Sequence, residues 1–181
     1  MLFRSAYAIM QDPLVDEGRG GQGRRSRNLR IVAFDVATGT AKAQFAYQLE
    51  SIDTINLRTP GQVFEENQQG RSIGVSSITA LPDGSFLVIE RDNRGLGVDD
   101  PNGANTVSTK RVYRITLDGA TDVSAISFSG SSTLPNGVVP VGKTLWLDVQ
   151  SALLAAGAGD ALEKLEGLAF GRDLIGGGLS V

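Results

Sequence analysis

The sequence of 181 residues contains no cysteine and no histidine. Without cysteine there is no disulfide, no zinc–thiolate site and no thiol nucleophile. The compartment stays open, because exported proteins also lack cysteine. Without histidine there is no Ser–His–Asp triad, no imidazole acid or base and no histidine metal ligand. Any chemistry therefore rests on carboxylates, Arg, Lys, Tyr or Ser, or on a bound oxygen-loving cation. No apolar run approaches the roughly 18–20 residues needed to cross a bilayer, so no membrane partner is expected. The opening MLFRSAYAIMQD does not have the form of a secretion signal, since Arg4 and Ser5 interrupt its apolar stretch. The net charge of −3 does not point to nucleic acid.

What is present is a unit that recurs. Residues 76–92 read SSITALPDGSFLVIERD, and residues 165–173, LEGLAFGRD, restart that phrase. Residues 5–12, SAYAIMQD, resemble its ending. Each ending leads, through a glycine- and charge-rich loop, to a second alternating run: LRIVAFDVATG at 29–39 and VYRITLDGATD at 112–122. A repeat of strand, turn, strand, loop and strand is the mark of a radial, all-β architecture. The chain, 1–181, is expected to be one domain incomplete at both ends, opening and closing inside a unit. The 23 glycines suit many tight turns between short strands.

Hydrophobic alternation places strands over 2–10, 29–36, 41–50, 75–81, 85–91, 110–117, 123–128 and 144–147, with another opening at 166–170. Pro82-Asp83-Gly84 is a turn with a mechanism, since Pro presets φ and Gly supplies a positive one. Asp148 caps one short helix near 149–156, stopped by Gly157. Residues 51–74, around Pro60 and Gly61, read as a long loop with little regular structure. Gly176-Gly177-Gly178 reads as a turn into a final strand.

Three groups of residues are candidates for chemistry. Glu90, Arg91 and Asp92 end a strand, and alternation puts the two carboxylates on one face and the guanidinium on the other. Such a pair can share a cation or do acid–base work, although an Asp that recurs at a strand end also serves simply to accept loop N–H bonds. Arg24, Arg25, Arg27 and Arg30 form a basic cluster suited to phosphate oxygens, against the plain reading of a solvated loop. Residues 137–144, GVVPVGKT, match a phosphate-binding P-loop in spelling. A working P-loop opens a helix, whereas Leu145-Trp146-Leu147 continues as strand. Asp99 and Asp100 lie in a polar loop without the spacing of a helix-flanked calcium site.

Several short motifs then occur in a telling order: Gln11-Asp12-Pro13-Leu14, Gly23 to Ile31, Phe34-Asp35, Thr38-Gly39, Leu81-Pro82-Asp83-Gly84, Leu87 to Asp92, Lys143, Leu147-Asp148 and Leu165 to Gly171. Together they resemble the bacterial phytase-like family, described as having esterase-like activity. The resemblance implies an antiparallel β-propeller, usually periplasmic or secreted, of which this chain would hold about two to three blades. Phe170-Gly171-Arg172 departs from the family's Phe-Gly-Pro. By the same resemblance, Glu166 before Gly167 is placed at a central channel, where a carboxylate helps to hold Ca2+. The plain reading is a carboxylate met by backbone N–H groups at a blade start.

The expectation is thus a fragment of an exported phytase-like hydrolase, cleaving a small-molecule ester or phosphate ester with calcium. Glu90 and Glu166 are the catalytic candidates, and Glu166, Glu90 and Asp92 the metal ligands. Arg91, Arg24, Arg25 and Arg27 would meet the substrate's negative charge. The alternative is a non-catalytic propeller that binds protein or carbohydrate. Open blade edges would favour association.

Overall fold

The computed structural model describes residues 4–14, 23, 25–61, 63–129, 131–169 and 171. Strands β1 (Ser5–Ile9), β2 (Asn28–Asp35) and β3 (Ala41–Gln48) form an antiparallel sheet in the order β1-β2-β3. Helix α1 (Ile52–Arg58), a single 3-10 turn (Glu66–Gln68) and helix α2 (Gln69–Ser72) lead into the second sheet. That sheet is β4 (Ile73–Ala80), β5 (Phe86–Asp92), β6 (Lys110–Thr116) and β7 (Gly142–Asp148), antiparallel and in sequence order. Helix α3 (Val149–Ala155) follows, with the Asp148 carboxylate accepting from the Ser151 N–H as its cap.

The repeat in the sequence is a repeat of architecture, with a shifted register. Ile9 faces Ile31 across β1 and β2, whereas Ile89 faces Val112 across β5 and β6, two residues earlier in the second run. In strand order and direction β1-β2-β3 match β5-β6-β7. The turn at Pro82-Asp83-Gly84 forms as expected, with Gly84 at φ +87°.

The two sheets pack face to face. Leu29, Ile31 and Tyr47 of the first, with Leu49 just beyond β3, meet Ile73, Val75, Phe86, Val88, Tyr113 and Ile115 of the second. The Tyr7 and Phe86 rings meet edge to face at 4.8 Å. The other face of the second sheet buries Leu87, Ile89 and Val112 beneath Val149, Leu165 and Leu168. Every residue of β5 is buried, which is why its sequence reads as a continuous apolar run before Glu90. Each fully buried aliphatic side chain contributes about 1.5–3 kcal/mol relative to exposure.

The fold is mostly β, with two antiparallel sheets and three short helices rather than one. Residues 51–74 are not an irregular loop: Ser51 caps α1 by accepting from the Thr54 N–H, and Glu65 and Gln68 form a capping box. Residues 123–128 form no strand. Val123 and Phe128 are instead buried against Ala46, and only Asp122 makes an isolated bridge, to Phe45. Residues 166–169 carry no strand either; Ser76 and Thr79 hold that segment through hydroxyl bonds to the carbonyls of Leu165 and Leu168. Lys143 and Thr144 lie in β7, and no helix opens at Thr144, so the P-loop spelling has no P-loop geometry. The expected final turn at 176–178 lies outside the described residues.

Candidate functional site

The two sheets meet at one end around the Glu90 carboxylate. Glu90 projects from β5 into the interface and is fully buried. Its Oε2 accepts from the Tyr47 hydroxyl at 2.7 Å and from Lys143 Nζ at 2.5 Å. Its Oε1 accepts from the Glu50 N–H at 2.5 Å. Strand β3, the connection just after it and strand β7 thus converge on one carboxylate, bringing groups from both sheets. A buried charge is tolerated only with this degree of pairing.

Lys143 also donates to the Gln48 carbonyl at 2.9 Å, and its ammonium lies 4.0 Å from the centre of the Tyr113 ring. Two of its three donors are therefore committed to oxygens. Unlike Glu90, the Lys143 side chain keeps 18% exposure and reaches solvent. Burial and then the Glu90 charge push the Tyr113 phenol up to about 12, against the opposing hydrogen bond from Arg111. The Tyr47 phenol is pushed well above its ordinary value by burial first and by Glu90 second. Both phenols thus remain protonated at neutral pH.

Outside this centre runs a chain of ion pairs. Arg58 grips Glu50 with both terminal nitrogens, at 2.5 and 2.9 Å. Arg111 bridges Glu50 at 3.2 Å and Asp148 at 2.8 Å. These pairs tie α1, β6 and the end of β7 together.

An open cleft of about 410 Å³ lies over these groups. Arg27, Gln48, Glu50, Tyr113 and Lys143 line it, beside Ser51 and Thr54 at the start of α1. Arg27 also walls an adjoining cleft that contains Arg25. Its Nε is buried and has no hydrogen-bond partner. An arginine and a lysine lining one cleft, with the arginine Nε unclaimed, make a place for an anion.

The expected site residues are dispersed relative to this cleft. Glu90 supports it from beneath. Arg27 lines it. Arg25 lies next door, 4.0 Å from Glu66. Arg24 lies outside the described residues. Arg30 is buried and structural: it donates to Gln44 Oε1 and to the carbonyls of Val123 and Ile126, and it stacks on Phe128. Arg91 and Glu166 pair with each other at 3.2 Å, and neither lines the cleft. Asp92 is buried and accepts from the Arg94, Ser108 and Thr109 N–H groups and from Lys110.

Calcium takes six to eight oxygen ligands. Among the described residues, Glu90, Asp92 and Glu166 share no hydrogen-bond partner, and each is already met by N–H, O–H or cationic donors. Among the described residues no three acidic side chains gather around a point where a metal would sit. These three residues do not fit the ion.

Sequence reasoning missed Tyr47, Tyr113 and Lys143 as members of a site. Their signal was present but ambiguous, because aromatic residues in alternating strands also read as ordinary core, and Lys143 stood out only within the P-loop spelling and as one motif residue of the family resemblance. No curated protein and no solved structure matches the chain. A family model described as phytase-like, esterase-like activity of phytase, matches residues 4–181, and the chain with its paired-sheet cleft belongs to the phytase-like family.

Proposed function

We propose that the cleft over Lys143 is the substrate site of a hydrolase acting on an anionic ester, with a phosphate ester as the best fit. The phytase-like description gives the family a hydrolase-like function, and the cleft chemistry supports the finer reading. The observation that carries it is Arg27, which lines the cleft together with Lys143 and has a buried Nε without a hydrogen-bond partner.

In this reading the ester's anionic oxygens meet the Arg27 fork and the remaining Lys143 donor. As the bond to the leaving alcohol breaks and water adds, negative charge on those oxygens is stabilised by two fixed cations in a partly desolvated setting. Tyr113, protonated at neutral pH, donates a hydrogen bond at the same wall. Glu90 touches no substrate. It is a positioning residue, holding Lys143 in place through a 2.5 Å pair.

The test is turnover of a chromogenic phosphate monoester and of a matched carboxylate ester by the full chain. Release from the phosphate ester above the buffer rate, inhibited by inorganic phosphate, is the expected result. Background rates on both esters, in calcium and in chelator alike, contradict the proposal.

A further inference from the structure

Away from the cleft, the end of β5 holds a second buried charge, and its surroundings are unlike those of an ordinary ion pair. Lys110 is fully buried. Its Nζ lies 2.7 Å from the Asp92 carbonyl, 2.8 Å from Asp92 Oδ1, 2.9 Å from the Arg94 carbonyl and 3.0 Å from the Glu163 carbonyl. Four oxygens surround one nitrogen. A neutral amine has two N–H donors and an ammonium three, so this many acceptors calls for the charged form, with one donor shared.

The cage is set by the backbone rather than gathered by the lysine. The Asp92 carboxylate is fixed independently by the N–H groups of Arg94, Ser108 and Thr109. The Glu163 carbonyl is placed by the bond from the Glu163 N–H to the Leu96 carbonyl, beside the parallel bridge of Leu96 with Leu162. Three carbonyls and a carboxylate oxygen turned inward on one point are the donor set of a hard cation.

The groups that meet the ammonium come from the end of β5, the loop after Asp92 and the 161–163 segment that returns to it.

We propose that the Lys110 ammonium is a tethered cation occupying an oxygen cage built by Asp92, Arg94 and Glu163. The chain carries its own cation at the end of β5, where the sequence led to the expectation of calcium. The charge cross-links β5, the loop following it and the segment before the third repeat.

The experiment is thermal unfolding of the full chain and of Lys110→Ala and Lys110→Met. Each is measured in chelator and then in sodium, potassium or calcium chloride, against tetramethylammonium chloride at equal ionic strength. Lys110→Ala opens the cage, so at least one small cation should raise its melting temperature by about 4 °C or more relative to tetramethylammonium. The parent chain and Lys110→Met, whose cage stays filled, should show no such gain. If Lys110→Ala does not fold in chelator, folding restored by a small cation supports the proposal, and failure to restore it counts against it. The proposal is overturned if no small cation acts on Lys110→Ala beyond tetramethylammonium, or if the parent chain gains as much as the variant does.

Discussion

Lys143 of β7 and Glu90 of β5 meet at 2.5 Å although they lie on strands that are not neighbours, with β6 between them. Glu90 is fully buried and Lys143 is not, so the pair links the core to the floor of the cleft. Tyr47 and the Glu50 N–H bring the first sheet to the same carboxylate. One anion thus fixes the geometry of both sheets where they meet.

Glu90→Leu is expected to destabilise the chain by about 3–5 kcal/mol, because it leaves the Lys143 charge unpaired at a buried contact. Adding Lys143→Met should recover part of that loss. Recovery stays incomplete, since the Tyr47 hydroxyl and the Glu50 N–H keep no acceptor, at roughly 1–3 kcal/mol each. Urea unfolding of the parent, both single variants and the double variant measures this. Purely additive losses would show that the pair is not coupled.

Tyr113 gives a pH dependence of defined sign. Its folded value, about 12, lies above the ordinary phenol value of 10.0. The stabilising contribution is complete below pH 10 and is lost as pH rises from 10 through 12, where the unfolded chain ionises first. Tyr113→Phe should therefore lose less stability than the parent across that window, by roughly 2 kcal/mol. Denaturant midpoints at stepped alkaline pH test it, and parallel curves for the two proteins would refute the shift.

Gly70 in α2 has no room for a side chain. A Cβ there would lie 2.5 Å from the Ser26 carbonyl oxygen and 2.6 Å from Pro13 Cγ. Gly70→Ala should destabilise by about 1–3 kcal/mol through forced backbone movement. Gly167, with nothing within 4 Å and no positive φ, serves as the control, and Gly167→Ala should change stability by less than about 0.5 kcal/mol. Equal melting temperatures for both variants would contradict the close packing of α2.

The strands were largely readable because their cause is local. Alternation marks β2, β3 and β6, and Pro82-Asp83-Gly84 sets the β4–β5 turn. Helix α3 was legible from its Asp148 cap, whereas α1 and α2 were not, since the Ser51 cap and the buried Ile52 and Ile55 of α1 lie between loop-like neighbours. Val123 and Phe128 looked like a strand because burial against Ala46 leaves the same apolar trace as pairing does. Of the site, Glu90 and Arg27 were legible as charges in unusual company. Their partners were not, because Tyr47, Tyr113 and Lys143 come together only through the packing of one sheet on another. Asp92 illustrates the reverse case: the strand-end carboxylate invited a cation, and the lysine eighteen residues later answers it.

Arg27 offers the most direct test of the cleft. Its Nε has no protein partner, so Arg27→Gln should leave the melting temperature within about 2 °C of the parent. Steady-state kinetics on a chromogenic phosphate monoester should then show kcat/KM reduced by about 10- to 100-fold, the loss of one charge-assisted contact to the reacting anion. An unchanged kcat/KM in a normally folded Arg27→Gln protein would contradict the assignment of this cleft as the substrate site.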